Sequence, residues 1–210
     1  MQNEIWLNRW KEKNIGFHED EVNSLLIKHF KTMNLSWGNT IFIPLCGKTL
    51  DISWFLALGH KVVGVELSEI AVKELFEELH ILPKITKINN MIRYSSLDID
   101  IFVGDVFDLD TEMTGKIDII YDRAALVALP KDIRIQYTQH LRKLSNNAPQ
   151  LLFSCEYDQN IMKPTPYSIE QNEIEEHYLD HYKIELLESQ EIEGGLKGKY
   201  PANDTVWVLK

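Results

Sequence analysis

Three charged residues stand where short apolar runs stop. Glu66 closes KVVGVE (61–66), Asp105 follows IDIFVG, and Arg123 follows IDIIYD (117–122). Runs of this kind, bounded by turn residues, read as buried strands of a largely parallel sheet, and ligands of such sheets bind at the carboxyl ends of the strands. Glu66 falls about 20 residues after the turn in TIFIPLCGKTLD, a spacing at which a carboxylate accepts hydrogen bonds from both hydroxyls of a ribose. A carboxylate at Asp105 can take the exocyclic amine of adenine, with Val106 as an apolar neighbour of the ring. Arg123 is permanently charged and presents a planar fork of donors, suited to holding a carboxylate or polarising a substrate. Leu45 ends the TIFIPL run, and Gly47 just after it lets backbone approach a ligand closely.

Each residue also has a plain structural reading. Glu66 fits a solvated strand end, Asp105 a turn aspartate, and Asp122–Arg123 a surface ion pair of little energetic weight. Absent patterns narrow the ligand. Without G-x-G-x-x-G, a nicotinamide dehydrogenase is disfavoured. Gly47-Lys48-Thr49 looks like the end of a phosphate loop, but Phe42 stands where the earlier glycine is required.

The elements that must position these residues follow from periodicity. TIFIPL (40–45), KVVGVE (61–66), IDIIYD (117–122) and QLLFSCEY (150–157) predict buried strands. RYSS and IDIFVGD predict two short strands joined around Ser96–Asp98, and KIELLES (183–189) and DTVWVL (204–209) the last two. Val22, Leu25, Leu26, Phe30 and Met33 predict an amphipathic helix over 19–33. Ile133, Tyr137, Leu141 and Leu144 predict one over 131–145. A further helix ends near Gly59. Ser68 suits the N-cap of SEIAVKELFEELH, and Ser168 with Gln171 matches a capping box opening a helix through 180. Trp6 and Trp10 share one face of an N-terminal helix. Strands alternating with helices predict an α/β fold.

The bulk numbers agree. The 210 residues suffice for one domain with a full core, and 44% hydrophobic and 26% charged residues fit a globular chain. A net charge of −10 disfavours nucleic acid as the main ligand. Cys46 and Cys155 fit small buried residues rather than a disulfide, and no Cys/His spacing suggests a metal. No apolar run approaches the roughly 20 residues of a membrane span, and MQNEIWLNRWKEKN has no apolar signal-peptide region, so a cytoplasmic protein is expected, and the chain's size and lack of an obvious apolar interface predict a monomer.

Several stretches are together more specific than any one of them. They are W-x-x-R-W (Trp6, Arg9, Trp10), Gly16-Phe17-His18, PLCGKTLD (44–51), WFLALGHKVVGVELSE (54–69), GDVFDL (104–109) and YDRAALVALP (121–130). With them the chain resembles the thiopurine S-methyltransferase family, of bacterial type, from residue 4 to about 160. The resemblance implies a Rossmann-like class I methyltransferase: a mostly parallel seven-stranded sheet with helices on both faces, as a single domain over 1–210 with an N-terminal helical cap over 1–35. It implies S-adenosylmethionine as cofactor, leaving as S-adenosylhomocysteine, and contacts to it from Trp10, Leu45, Glu66, Asp105, Val106 and Arg123. Phe17 matches an aromatic near the substrate, and Arg123 is the candidate catalytic residue. The implied acceptor is the sulfur of a small aromatic or heterocyclic thiol such as a thiopurine, and the resemblance extends to selenium and tellurium compounds. A catalytically silent cofactor-binding or sensing protein, or a different small-molecule acceptor, is the alternative. The family's Pro-Pro-Phe-like segment is replaced by Lys163-Pro164-Thr165-Pro166-Tyr167-Ser168, so the resemblance carries over to the cofactor site and not to the substrate lid.

Overall fold

A computed structural model describes residues 2–210. The chain divides into two compact units, the first ending at Asp118 and the second spanning Ile119–Lys210.

In the first unit, helix α1 (Gln2–Lys11) and helix α2 (Ser24–His29) precede strand β1 (Thr40–Ile43). Then come α3 (Asp51–Ala57), β2 (Lys61–Glu66), α4 (Glu69–Glu78), β3 (Lys84–Ile88), β4 (Met91–Ser96), β5 (Ile99–Val103) and α5 (Thr111–Thr114). The strand order is β3-β4-β5-β2-β1. β1, β2 and β5 run parallel, and β3 and β4 continue the sheet antiparallel. Ile41, Phe42 and Ile43 of β1 and Val62, Val63 and Val65 of β2 are all buried, the continuous apolar runs expected of strands covered on both faces. Helices α3 and α4 pack against β2. Ser68 caps α4 as predicted, its Oγ accepting the Ala71 N–H at 3.4 Å.

The helix predicted over 19–33 is shorter. Asn23 caps α2, its side chain accepting the Leu26 N–H at 3.0 Å, and its own N–H donates to the Asp51 carboxylate at 2.9 Å. These bonds set the start at Ser24 and leave Val22 outside, while the end tightens into a 3-10 turn over Phe30–Met33.

In the second unit, β6 (Ile119–Arg123) is followed by a 3-10 turn (Leu126–Ala128), α6 (Lys131–Ser145), β7 (Gln150–Glu156), α7 (Gln171–Tyr178), β8 (Ile184–Glu191) and β9 (Asn203–Leu209). The order is β6-β7-β9-β8, with β6 and β7 parallel and the later pairs antiparallel. Helix α6 has the predicted bounds and buries Tyr137, Leu141 and Leu144. It closes on Asn146 in the left-handed region at φ 53°.

Among the described residues the strands number nine rather than seven. The addition unforeseen in sequence is β3, whose KITKI pattern leaves its residues half-buried or exposed, so no apolar run marks it. The capping box at Ser168 is also corrected. Ser168 Oγ accepts the Tyr157 N–H at 2.9 Å instead, and α7 starts at Gln171 after Glu170, which makes no side-chain cap.

Candidate active site

The carboxyl ends of β1 and β2 carry the most organised group in the first unit. β1 leads through Pro44 into Leu45, which adopts φ 48°, and Gly47 follows at φ 53°. A left-handed leucine is uncommon and persists only where its surroundings over-determine it. Here Cys46 N–H donates to Val65 O at 2.9 Å and Gly47 N–H to the Glu66 carboxylate at 2.9 Å. A β-carbon on Gly47 would come within 3.1 Å of the Trp10 ring, so the glycine also provides the close approach of α1.

Glu66 is 7% exposed. One oxygen accepts the Gly47 N–H, the other the Ser68 N–H at 2.8 Å, and the Leu67 N–H adds a weaker interaction. Burial raises the pKa of this carboxyl, and the backbone donors from Ser68, Gly47 and Leu67 only partly offset it. Every donor is backbone, and the Gly47 and Ser68 bonds, one to each oxygen, leave the carboxylate able to accept from a further hydroxyl donor.

At the end of β5, Gly104 N–H donates to Glu66 O at 3.0 Å, joining the two strand ends. Asp105 then caps the 3-10 turn Val106–Asp108, its Oδ1 accepting the Phe107 N–H at 3.1 Å. Its Oδ2 accepts from the Asn3 side chain at 3.1 Å. The turn-aspartate reading is therefore real, and one Asp105 oxygen is claimed by another side chain, which is not so for Glu66. Val106 is buried. On α1, Trp10 is 4% exposed. Phe17 meets the rings of Trp6 and Trp10 edge-on at 5.6 and 5.7 Å, so it anchors α1 as well as offering an aromatic edge.

The structure thus brings Trp10, Leu45 and Glu66 together around Gly47, with Asp105 and Val106 at the adjoining strand end and Phe17 against Trp10. Cys46, in the same loop, is buried and its thiol is pushed well up by burial and by Glu66, which makes it inert.

In the second unit, Arg123 ends β6 half-buried, before Ala124 at φ 65°. The surface-pair reading of Asp122–Arg123 fails. Asp122 is fully buried and accepts the Tyr137 hydroxyl at 2.8 Å and the Leu126 N–H at 3.1 Å. Burial pushes this carboxyl up to about 6 despite those bonds. An acidic residue inside an apolar run was the signal for such burial. The segment over 163–168 is well tied: Tyr167 N–H donates to Val127 O at 2.7 Å, and Gln159 bridges Ser168 N–H and the Tyr157 hydroxyl. Arg134 lies 5.3 Å from the Tyr167 ring centre and pairs with Glu173 at 2.6 Å. Neither Arg134 nor Glu173 was singled out in sequence, because 39 residues separate them.

Residues 1–204 match the family model of thiopurine S-methyltransferase. The chain belongs to the thiopurine S-methyltransferase family. It is 44% identical to the thiopurine S-methyltransferase of Teredinibacter turnerae over 209 residues, covering 100% of this chain and 97% of that protein. It is 45% identical to the thiopurine S-methyltransferase of Acinetobacter baylyi, covering 100% and 98%. Among solved structures, it is similar to the 1,6-didemethyltoxoflavin-N1-methyltransferase of Burkholderia thailandensis. That structure was solved with 1,6-didemethyltoxoflavin and S-adenosylhomocysteine bound. The TM-score is 0.65 at 16% identity, over 99% of this chain and 86% of that one. At that identity the likeness shows the fold alone, the Rossmann-like α/β fold that the thiopurine S-methyltransferase motifs implied.

Proposed function

We propose that this chain is an S-adenosylmethionine-dependent S-methyltransferase that methylates the sulfur of small aromatic or heterocyclic thiols such as thiopurines. Family membership supports the reaction. The observation that carries the cofactor assignment is Glu66: a buried strand-end carboxylate, oriented by backbone N–H groups, with acceptor capacity left for the ribose. Trp10, Leu45, Asp105 and Val106 complete the cofactor contacts we assign. We assign the Asp105 carboxylate, whose Oδ2 now accepts from Asn3, to the adenine amine.

S-adenosylmethionine supplies a methyl group already activated on a sulfonium. The chain's residues then orient the acceptor and exclude water, effects worth up to about 7–11 kcal/mol at their upper range. The acceptor thiol must lose its proton, since the thiolate is the nucleophile, and an aromatic thiol is acidic enough to do so without a dedicated base. Arg123 is the residue we assign to favouring that thiolate electrostatically, and Phe17 the aromatic beside the acceptor. The net charge of −10 supports small molecules over nucleic acid as substrates, and we expect a cytoplasmic monomer. No helix among the described residues is long and apolar enough to cross a membrane.

The test is calorimetric titration with S-adenosylmethionine, paired with product formation from an aromatic thiol. Wild type binds and turns over. Glu66→Ala binds more weakly by about 1–3 kcal/mol, the worth of a hydrogen bond to a charged group. Unchanged affinity in that variant removes the ribose assignment. Arg123→Ala turns over more slowly and recovers part of the rate at higher pH. Wild-type kinetics there remove its role.

A further inference from the structure

Lys48 follows Gly47 in the loop after β1, and its ammonium is bound to helix α4. Nζ lies 2.6 Å from Glu78 and 3.0 Å from Glu74. The lysine side chain is 12% exposed, against 30% and 41% for Glu74 and Glu78, so the cation is the sheltered member of the cluster. Burial works against the ammonium, but hydrogen bonds and charge from the two glutamates outweigh it, so its pKa rises and it stays charged.

The position of this strap matters. Two backbone donors orient Glu66. Gly47 N–H comes from the loop that carries Lys48, and Ser68 N–H from the cap of the helix that carries Glu74 and Glu78. The loop itself holds left-handed residues at Leu45 and Gly47 and contains no repeating hydrogen-bonded structure of its own. Lys48 joins the two segments whose spacing determines how the carboxylate sits.

From this geometry we propose that Lys48 is a positioning residue for cofactor binding: it ties the Gly47 turn to helix α4, so that the backbone donors on either side hold the Glu66 carboxylate ready for the ribose hydroxyls. The proposal rests on the reading of Glu66 as the ribose acceptor. Lys48 acts through Gly47 and Glu66, and its ammonium is occupied by the glutamates.

The test measures S-adenosylmethionine affinity by calorimetry and steady-state kinetics in the full chain. The variants are Lys48→Met, Lys48→Arg, the pair Glu74→Gln with Glu78→Gln, Glu66→Gln, and Lys48→Met combined with Glu66→Gln. Lys48→Met and the paired glutamine variant are each expected to weaken binding about 3- to 5-fold, the upper range for a partly exposed ion pair. The KM for S-adenosylmethionine rises while kcat at saturation holds within about twofold, the pattern of lost ground-state binding. Lys48→Arg recovers most of the affinity. Raising salt to about 0.5 M weakens wild type but not Lys48→Met, because the strap is electrostatic. In the Glu66→Gln background Lys48→Met adds less than about twofold, since residues acting through one another are not additive.

Wild-type affinity in Lys48→Met overturns the proposal. So does full additivity with Glu66→Gln. So does a paired glutamine variant that binds normally while Lys48→Met does not, which would mean that the ammonium touches the cofactor directly. If Glu66→Gln binds as wild type does, the ribose reading falls and takes this inference with it. If Glu66→Gln is weakened and Lys48→Met is not, only this inference falls.

Discussion

Glu66 and Asp122 are both buried carboxylates at the carboxyl end of a parallel strand, one in each unit, and burial raises the pKa of both. Their partners differ. Glu66 is held by backbone N–H groups alone and ends β2, where a loop and a helix start diverge from it. Asp122 lies one residue inside the end of β6 and is sealed by the Tyr137 hydroxyl together with backbone donors from Leu126 and Ala125. Glu66, 7% exposed, is a carboxylate that a ligand can still reach. One closed off by a buried side chain serves the interior, in this case by tying α6 and the turn after β6 to the strand. A strand-end carboxylate is thus a site candidate according to who donates to it, not merely where it sits.

The sharpest way to break this comparison is to remove the sealed carboxylate. Asp122→Ala strands the Tyr137 hydroxyl and is expected to cost about 3 kcal/mol of stability by urea unfolding, with S-adenosylmethionine affinity of the folded fraction little changed. A variant that kept its stability and lost affinity would reverse the two roles. Next, Glu66→Gln swaps an acceptor oxygen for a donor amide that opposes a backbone N–H, and binding should weaken by about 1–3 kcal/mol in calorimetry. Its unfolding midpoint should move less than that of Asp122→Ala.

pH separates the pair further. Folding raises the Asp122 carboxyl from 3.8 to about 6, so between those values the folded chain binds more protons than the unfolded one. Its contribution is fully present below about 4 and is lost as pH rises through about 6. The stability of wild type relative to Asp122→Asn should therefore fall across that window and level off above it, in denaturation curves taken at each pH. Glu66 is raised too, and protonation removes an acceptor, so S-adenosylmethionine affinity should fall as pH drops through its raised pKa, and Glu66→Gln should flatten that dependence. The smallest effect is expected from Gly47→Ala. Its β-carbon presses on Trp10 at 3.1 Å in a left-handed backbone, and about 1 kcal/mol of stability should be lost, with a matching weakening of cofactor binding.

Much of this was legible in the chain. The buried parallel strands announced themselves as unbroken apolar runs, and α6 as a helical period with Asn146 behind it, because burial on one or both faces leaves a periodic trace. Glu66 was legible as the charge that ends such a run. β3 was not, because an edge strand with Lys84 and Lys87 and little burial has no apolar pattern to read. Ser168 reads as a cap in the sequence, but its hydroxyl is claimed by Tyr157, a partner 11 residues away that local sequence rules do not reach.

The order of elements apart from β3, the strand-end positions of Glu66, Asp105 and Arg123, and the family were set by sequence alone, since each depends on local period, spacing or motif. Tertiary structure decided the rest. It made Leu45 left-handed, aimed the Gly47 and Ser68 N–H groups at one carboxylate, seated Trp10 on Gly47, sealed Asp122 with Tyr137 and tied Lys48 to α4. The Gly47–Glu66, Trp10–Gly47, Tyr137–Asp122 and Lys48–α4 contacts join segments apart in the chain, and their geometry exists only once the fold has brought those segments together.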